Sequence, residues 1–367
     1  LEALARSSLR FTDLVANSSW TRPSVASMLT GLLPEEHGAR DVEDPIAPEV
    51  ETLAQRLSRR GYRTVAFQTN VGAAGRDAGF ARGFELFREL PIDPYARAEE
   101  VNRELRRWLD AESQENEEDN EDAGDDDRPL FLYVHYLDPH EPYLSGGFEQ
   151  PPVTAREYLE RYDAELAYFD ARFAEILSEL RRVLGEDTVL LVTSDHGEEF
   201  FEHGLFGHGH SLYDEVVEIP LLVHRSGAAP ATIDARLEGR DLFDLVLALS
   251  ADSARDLSAW AGQRARERRY LSLEYTGSGR LALRPYRRYN LMRALDTPER
   301  RFIWSGYGPT RELYDQRNDP RQLDNRIERE PENASALEAG LDPMVSGWRF
   351  PEPIDPSDEA LEQLRAL

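Results

Sequence analysis

The stretch Thr188-Val189-Leu190-Leu191-Val192-Thr193-Ser194-Asp195-His196-Gly197-Glu198 decides how this chain is read. Its first half is apolar and β-branched, the composition of a buried strand. Its second half stops the strand abruptly and sets a carboxylate beside an imidazole at the strand's C-terminal mouth. In open α/β sheets ligands bind at that edge. Asp195 and His196 join a hard oxygen to a borderline nitrogen. That donor set suits Zn²⁺, Mn²⁺ or, with further oxygens, a harder cation. The plainer reading is a solvated Asp–His pair at a strand end.

Working outward, the histidines gather just past strand ends. His203, His208 and His210 lie in one Gly-rich loop, and His135 and His140 close a second apolar run that starts at Pro129. Parallel neighbouring strands would bring both loops to one edge. The natural use of such a cluster is metal-assisted group transfer. A cation polarises an oxyanion ester, and imidazoles donate to its oxygens. Thr21 supplies the nucleophile that the cluster lacks. Pro23 suits the first turn of a helix and Gly31 its end, which sets Thr21 just before that helix. A hydroxyl there is aimed by the backbone N–H groups and acidified by a bound cation. The plainer reading is an ordinary N-cap threonine.

The rest of the chain supplies a scaffold. Glu51 to Arg60 reads as a helix, Tyr62 to Phe67 as a strand running out at Asn70, and Ala96 to Leu109 as a further helix. This helix–strand rhythm belongs to parallel sheets. Between Tyr158 and Leu184, Tyr162, Leu166, Phe169, Phe173, Ile176, Leu177 and Leu180 recur every three or four residues, which makes a core-facing helical stripe. From about Arg268 short strands split by turns suggest a small antiparallel sheet. Residues 112–128 are almost wholly acidic or small and read as a solvated, disordered insertion. The expected organisation is an α/β catalytic core over 1–265, an antiparallel subdomain over 266–327 and a polar tail over 328–367. The tail is expected to be loosely packed and to end in a short helix near Glu359 to Leu367.

Bulk numbers exclude other classes. The chain has 367 residues, 40% of them hydrophobic, enough for a large core. Its net charge of −27 argues against nucleic acid or an anionic membrane surface as the main partner. Cysteine is absent, which rules out disulfides, thiolate metal sites and Cys nucleophiles. No run of about 18 apolar residues spans a membrane. Leu1-Glu2-Ala3-Leu4-Ala5 opens in mid-pattern, so further sequence is expected upstream and the compartment stays open.

Several motifs, in order, resemble the sulfatase family of the alkaline-phosphatase superfamily. Thr21-Arg22-Pro23-Ser24-Val25 followed by Leu29-Thr30-Gly31 is similar to the family's Cys-or-Ser-x-Pro-Ser-Arg signature and its Leu-Thr-Gly ending. Val134 to Tyr143, Ser194 to Glu198, and Gly207 to Leu221 match further motifs. Leu313-Tyr314-Asp315, Asn318-Asp319-Pro320 and Asn325 match the closing one. The resemblance implies an α/β core with a mixed, largely parallel sheet flanked by helices, and a small C-terminal antiparallel subdomain. It implies Asp195, His196 and Thr21 as metal ligands for Ca²⁺, Mn²⁺ or Zn²⁺. Thr21, His140 and His208 are implied as catalytic residues, with His203, His210, Arg22 and Asn70 against the substrate. The substrate would be a small-molecule, glycan or lipid-head-group ester. By the same resemblance a periplasmic, secreted or membrane-tethered location is expected.

Two departures shape the expectation. Thr21 cannot become the formylglycine that typical sulfatases make from Cys or Ser, and Val25 replaces the signature Arg. A Thr there is similar to phosphodiesterase, phosphotransferase and phosphatase-like relatives, so phosphate or phosphonate ester chemistry is the alternative. Second, the family's first strand carries a metal-binding Asp pair about thirty to forty residues before the nucleophile. That pair is absent from this chain. An incomplete metal site, weak metal binding and little activity are expected of a protein starting at Leu1, and an inactive remnant is the third reading.

Overall fold

A computed structural model describes residues 1–90, 96–115, 128–143, 152–185, 187–251, 256–275, 290–306 and 310–341. In chain order the strands are β1 (Leu9–Phe11), β2 (Leu14–Val15), β3 (Arg63–Gln68), β4 (Leu86–Glu89), β5 (Leu130–His135), β6 (Leu190–Thr193), β7 (Glu199–Phe200), β8 (Phe206–Gly207), β9 (Leu221–His224), β10 (Ala231–Ile233), β11 (Leu237–Glu238), β12 (Arg269–Tyr275), β13 (Asn290–Asp296), β14 (Arg300–Ser305) and β15 (Thr310–Asp315). The helices are α1 (Glu2–Ala5), α2 (Thr21–Thr30), α3 (Pro34–His37), α4 (Leu53–Ser58), α5 (Val71–Ala74), α6 (Ala98–Glu115), α7 (Ala155–Leu184), α8 (Asp214–Val217), α9 (Asp241–Ser250), α10 (Leu257–Arg264) and α11 (Pro331–Leu341).

Strand β3 shows why the core forms where it does. It pairs in parallel with β4 and β5, and Thr64 to Gln68 are buried. Val65 and Phe67 reach into a cluster with Leu105 and Trp108 of α6 and Phe173 and Ile176 of α7. Ala66 joins Val25 and Leu29 of α2 and Leu53 and Leu57 of α4. The strand is thus covered on both faces, as an uninterrupted apolar run requires. Gln68 stands opposite His135 in the register, so β3 and β5 end together. Helix α7 opens on a Thr154/Glu157 capping box, and Phe169, Phe173, Ile176, Leu177 and Leu180 of the expected stripe face the core.

The second sheet runs β10-β1-β9-β6. Here β1 is parallel to β10, whereas β9 is antiparallel to both β1 and β6. This corrects the reading of Thr188 to Val192 as a buried strand among parallel neighbours. Among the described residues β6 ends its sheet, pairs antiparallel with β9 alone, and holds Leu190, Leu191 and Val192 only half-buried. One of its edges lacks a neighbour, so its side chains keep solvent exposure despite their apolar character. Strands β5 and β6 belong to separate sheets, yet their C-terminal ends still converge, near enough for the Asp195 charge to act on His135.

The antiparallel subdomain is present as the meander β12-β13-β14-β15. It docks on the core through Asn17, whose Nδ2 donates to Tyr270 O at 3.1 Å, and Trp20, whose Nε1 donates to Glu274 O at 3.0 Å. Buried Asp296 gathers Arg301, Arg269 and Arg236. Burial alone would raise its carboxyl, but the three guanidinium groups hold it at about 2. Residues beyond 327 also reach this sheet. Ala334 and Leu341 of α11 pack on Leu295, Phe302 and Leu313, so the start of the polar tail is a docked helix. Apolar residues spaced along Pro331–Leu341 give it that face. The rest of the tail, with the expected helix at Glu359 to Leu367, lies outside the described residues. Of the acidic insertion, 112–115 continue α6, and Glu112 pairs with Arg63; residues 116–127 lie outside the described residues.

Candidate active site

The site is built where α2 begins, under the turn that follows β6. All ten residues of α2 are buried. Trp20 caps it in extended conformation without a side-chain bond, and Thr21 is the first helical residue rather than the cap. The hydroxyl is therefore not spent on the helix. Thr21 Oγ1 lies 3.4 Å from His196 Nε2 and accepts a hydrogen bond from Asn70 Nδ2 at 3.2 Å. Asn70 is free to donate because its Oδ1 serves as N-cap of α5, accepting from Ala73 N at 3.3 Å. Ser24 Oγ donates to the Asp195 carbonyl and fastens α2 to the turn.

His196 donates from Nδ1 to Gly197 O at 2.8 Å, which leaves a lone pair on Nε2. That lone pair faces Asp195 Oδ2 at 3.5 Å. Asp195 Oδ1 accepts from His196 N at 3.1 Å, whereas Oδ2 is buried with no hydrogen-bond partner. Burial alone would raise the Asp195 carboxyl; the neighbouring imidazoles of His196 and His135 bring it below its ordinary value. An ionised oxygen and an imidazole lone pair thus face each other beside a hydroxyl, an arrangement that calls for a positive charge. The residues fit a divalent cation held by Asp195 Oδ2, His196 Nε2 and Thr21 Oγ1.

His208 and His140 border this group. The His208 ring centroid is 4.2 Å from that of His196 and 5.3 Å from that of His140. Burial, with the His196 charge, lowers the His208 imidazole to about 4, so it is neutral near pH 7. Its Nδ1 donates to Glu198 Oε1 at 2.8 Å. His140 donates from Nδ1 to Glu141 O at 2.6 Å. His135 is hydrogen-bonded to the Tyr133 hydroxyl at 3.0 Å, and burial lowers its imidazole.

Three residues expected against the substrate are held by hydrogen bonds within the chain. The Arg22 guanidinium donates to the carbonyls of Gly72, Ala73, Asp44 and Asp41 at 2.8 to 3.3 Å. It locks the α5 segment that presents Asn70. His210 donates from Nε2 to buried Glu199 at 2.8 Å. His203 bridges Glu215 Oε1 at 2.5 Å and Gln322 O at 3.0 Å, with its ring stacked on Tyr213 at 3.7 Å. Burial alone would lower the His203 imidazole, but the bonds to Glu215 and Gln322 raise it above its ordinary value. Ligand atoms of Glu199, His203 and Glu215 lie within 4.8 Å of one another, the spacing of a cation site, though each already has a hydrogen-bond partner.

Gly197 joins the two groups. A Cβ there would sit 2.2 Å from Glu215 O, so only glycine lets the Asp195–His196 turn lie against α8. The sequence reading did not single out Glu198 and Tyr143 for the site. The signal for Glu198 was its position, an acid two residues past His196.

The family model for sulfatases matches residues 1–252. The chain belongs to the sulfatase family. That family membership places it among the sulfuric ester hydrolases. It is 22% identical to a choline-sulfatase of Rhizobium meliloti, over 95% of this chain and 81% of that protein. It is 28% identical to the low-salt glycan biosynthesis sulfotransferase Agl7 of Haloferax volcanii, over 56% of this chain but only 46% of that one. Among solved structures, BT4656 in complex with its substrate D-glucosamine-2-N,6-O-disulfate matches at a TM-score of 0.74 and 15% identity, covering 94% of this chain and 91% of that one. A phosphonate monoester hydrolase of Agrobacterium radiobacter matches at 0.66 and 16%, covering 94% and 89%. These two likenesses are of fold.

Proposed function

We propose that the protein hydrolyses sulfate esters of small molecules or glycans, with a divalent cation bound by Asp195, His196 and Thr21, and with Thr21 as nucleophile. The observation that carries this reading is the convergence of Thr21 Oγ1, His196 Nε2 and the unpartnered Asp195 Oδ2. A divalent cation bound there supplies charge against the ester oxyanion and acidifies the hydroxyl. Every other step uses the chain's own groups. The α2 N-terminus and Asn70 steady the Thr21 oxygen as it loses its proton. Oγ1 gives its proton to an imidazole lone pair of the His140–His208 wall and attacks sulfur, the S–O bond to the alcohol breaks, and the leaving oxygen takes that proton back. Water then releases sulfate from Thr21. Relatives named for choline sulfate, ulvan and glucosamine disulfate favour a polar sulfated substrate.

A second reading, phosphonate or phosphodiester hydrolysis, is favoured by the unmodified hydroxyl at position 21, which attacks phosphorus as readily. The test is a panel of aryl sulfate, phosphate monoester, phosphodiester and phosphonate substrates with Mn²⁺, Zn²⁺ or Ca²⁺. Aryl sulfate should turn over, and Thr21→Val should lose at least about 10³-fold in kcat/KM with the melting temperature unchanged. Phosphonate or phosphodiester turnover without sulfate turnover selects the second reading. Near-normal activity of Thr21→Val removes the nucleophile assignment.

A further inference from the structure

We propose that Glu198 is a positioning residue that fixes the tautomer and orientation of His208 and ties it to the loop carrying His140. The inference deepens the proposed function and rests on it for its catalytic consequence. Two bonds carry it. Glu198 Oε1 accepts from His208 Nδ1 at 2.8 Å, and Oε2 accepts from the Tyr143 hydroxyl at 3.1 Å. The Glu198 side chain is 7% exposed, so little water competes for either oxygen. Tyr143 is itself buried, with its ring edge-on to Tyr162 at 5.7 Å, which makes it a fixed anchor.

The chemistry follows from the inventory of the groups. A neutral imidazole has one N–H. Glu198 takes that hydrogen at Nδ1, so Nε2 is the nitrogen left for the reacting ester. Without the carboxylate the two tautomers compete and the ring can turn about its χ2 torsion. The same side chain fixes the segment three residues after His140 through Tyr143. One carboxylate therefore sets both imidazole walls, whose rings meet at 5.3 Å. Carboxylates that hold a functional histidine through its far nitrogen act in this way in metal sites and catalytic triads.

The test uses the full chain labelled with ¹⁵N-histidine, and reads tautomers by long-range ¹⁵N–¹H correlation. In the wild type, His208 should carry its hydrogen on Nδ1. Glu198→Gln should shift part or all of it to Nε2, and Glu198→Ala, which removes the acceptor outright, serves the same purpose if the Gln variant does not fold. On an aryl sulfate with Mn²⁺, Glu198→Gln should lower kcat by about 10²-fold with KM within about threefold. It should cost nothing further when His208→Gln is already in place. An unchanged His208 tautomer in the Glu198 variants overturns the proposal. So does a kcat loss that adds fully to that of His208→Gln. If the wild type turns over no ester, the functional reading fails, and the tautomer measurement still decides the role of Glu198.

Discussion

Two groups of histidines and carboxylates share one wall of this protein and differ in one respect. In the group of His203, His210, Glu199 and Glu215, the hydrogen bonds run from donor to acceptor, and each residue has a partner. In the group of Thr21, Asp195 and His196, one hydroxyl hydrogen faces an imidazole lone pair and a carboxylate, and the buried Asp195 Oδ2 is left with no hydrogen-bond partner. The ligand types are similar, and by spacing alone the first group looks the better cation site. Spacing is the weaker guide. A satisfied network gains little from an ion that must displace its hydrogen bonds, whereas a frustrated one is relieved by it.

The contrast can be broken most sharply with the cation itself. Asp195→Asn should weaken Mn²⁺ binding by roughly 10²-fold in calorimetric titration, while Glu215→Gln leaves it within about twofold. The opposite order would move the cation to the second group. A smaller effect is expected on stability. His203→Gln leaves Glu215 and the Gln322 carbonyl poorly matched and should cost about 1–3 kcal/mol in denaturant unfolding, with kcat/KM within about fivefold. A larger activity loss than stability loss would return His203 to the substrate.

The smallest effect is in pH dependence. His203 is raised in the folded state, so its stabilisation is fully present below its ordinary value and is lost as pH rises through the folded one. The melting-temperature gap between wild type and His203→Gln should therefore be wider at pH 6 than at pH 9. Buried His37 has the opposite sign. It is lowered from 6.5 to about 3, chiefly by burial, so the fold loses about 1.4 kcal/mol per unit of acidification between those values. A gap that widens with rising pH would show that His203 is not the protonated partner.

What was legible in the sequence was mostly local. The abrupt end of the β6 run at Asp195-His196 marked the site, and Pro23 with Gly31 bracketed α2 to within a residue. The periodic stripe of α7 was readable because a helix repeats its core face every three or four residues. Partnerships across long separations were not readable. Gln322 offers His203 a backbone carbonyl, a group every residue carries, from 119 positions away. The four carbonyls that Arg22 holds, spread from Asp41 to Ala73, were likewise not readable from its place in the motif. The half-exposed state of β6 also escaped, because composition tells how apolar a strand is and not how many neighbours it has.

Gly197 has a consequence for how this region tolerates change. The chain beside Asp195 and His196 touches the Glu215 carbonyl with nothing in between, so the Asp195–His196 turn has no slack of its own. Inserting or deleting a residue in the loop between Glu199 and Glu215 would carry α8 with it and move Asp195. That loop is tied at both ends, by Glu199 to His210 and by Glu215 to His203.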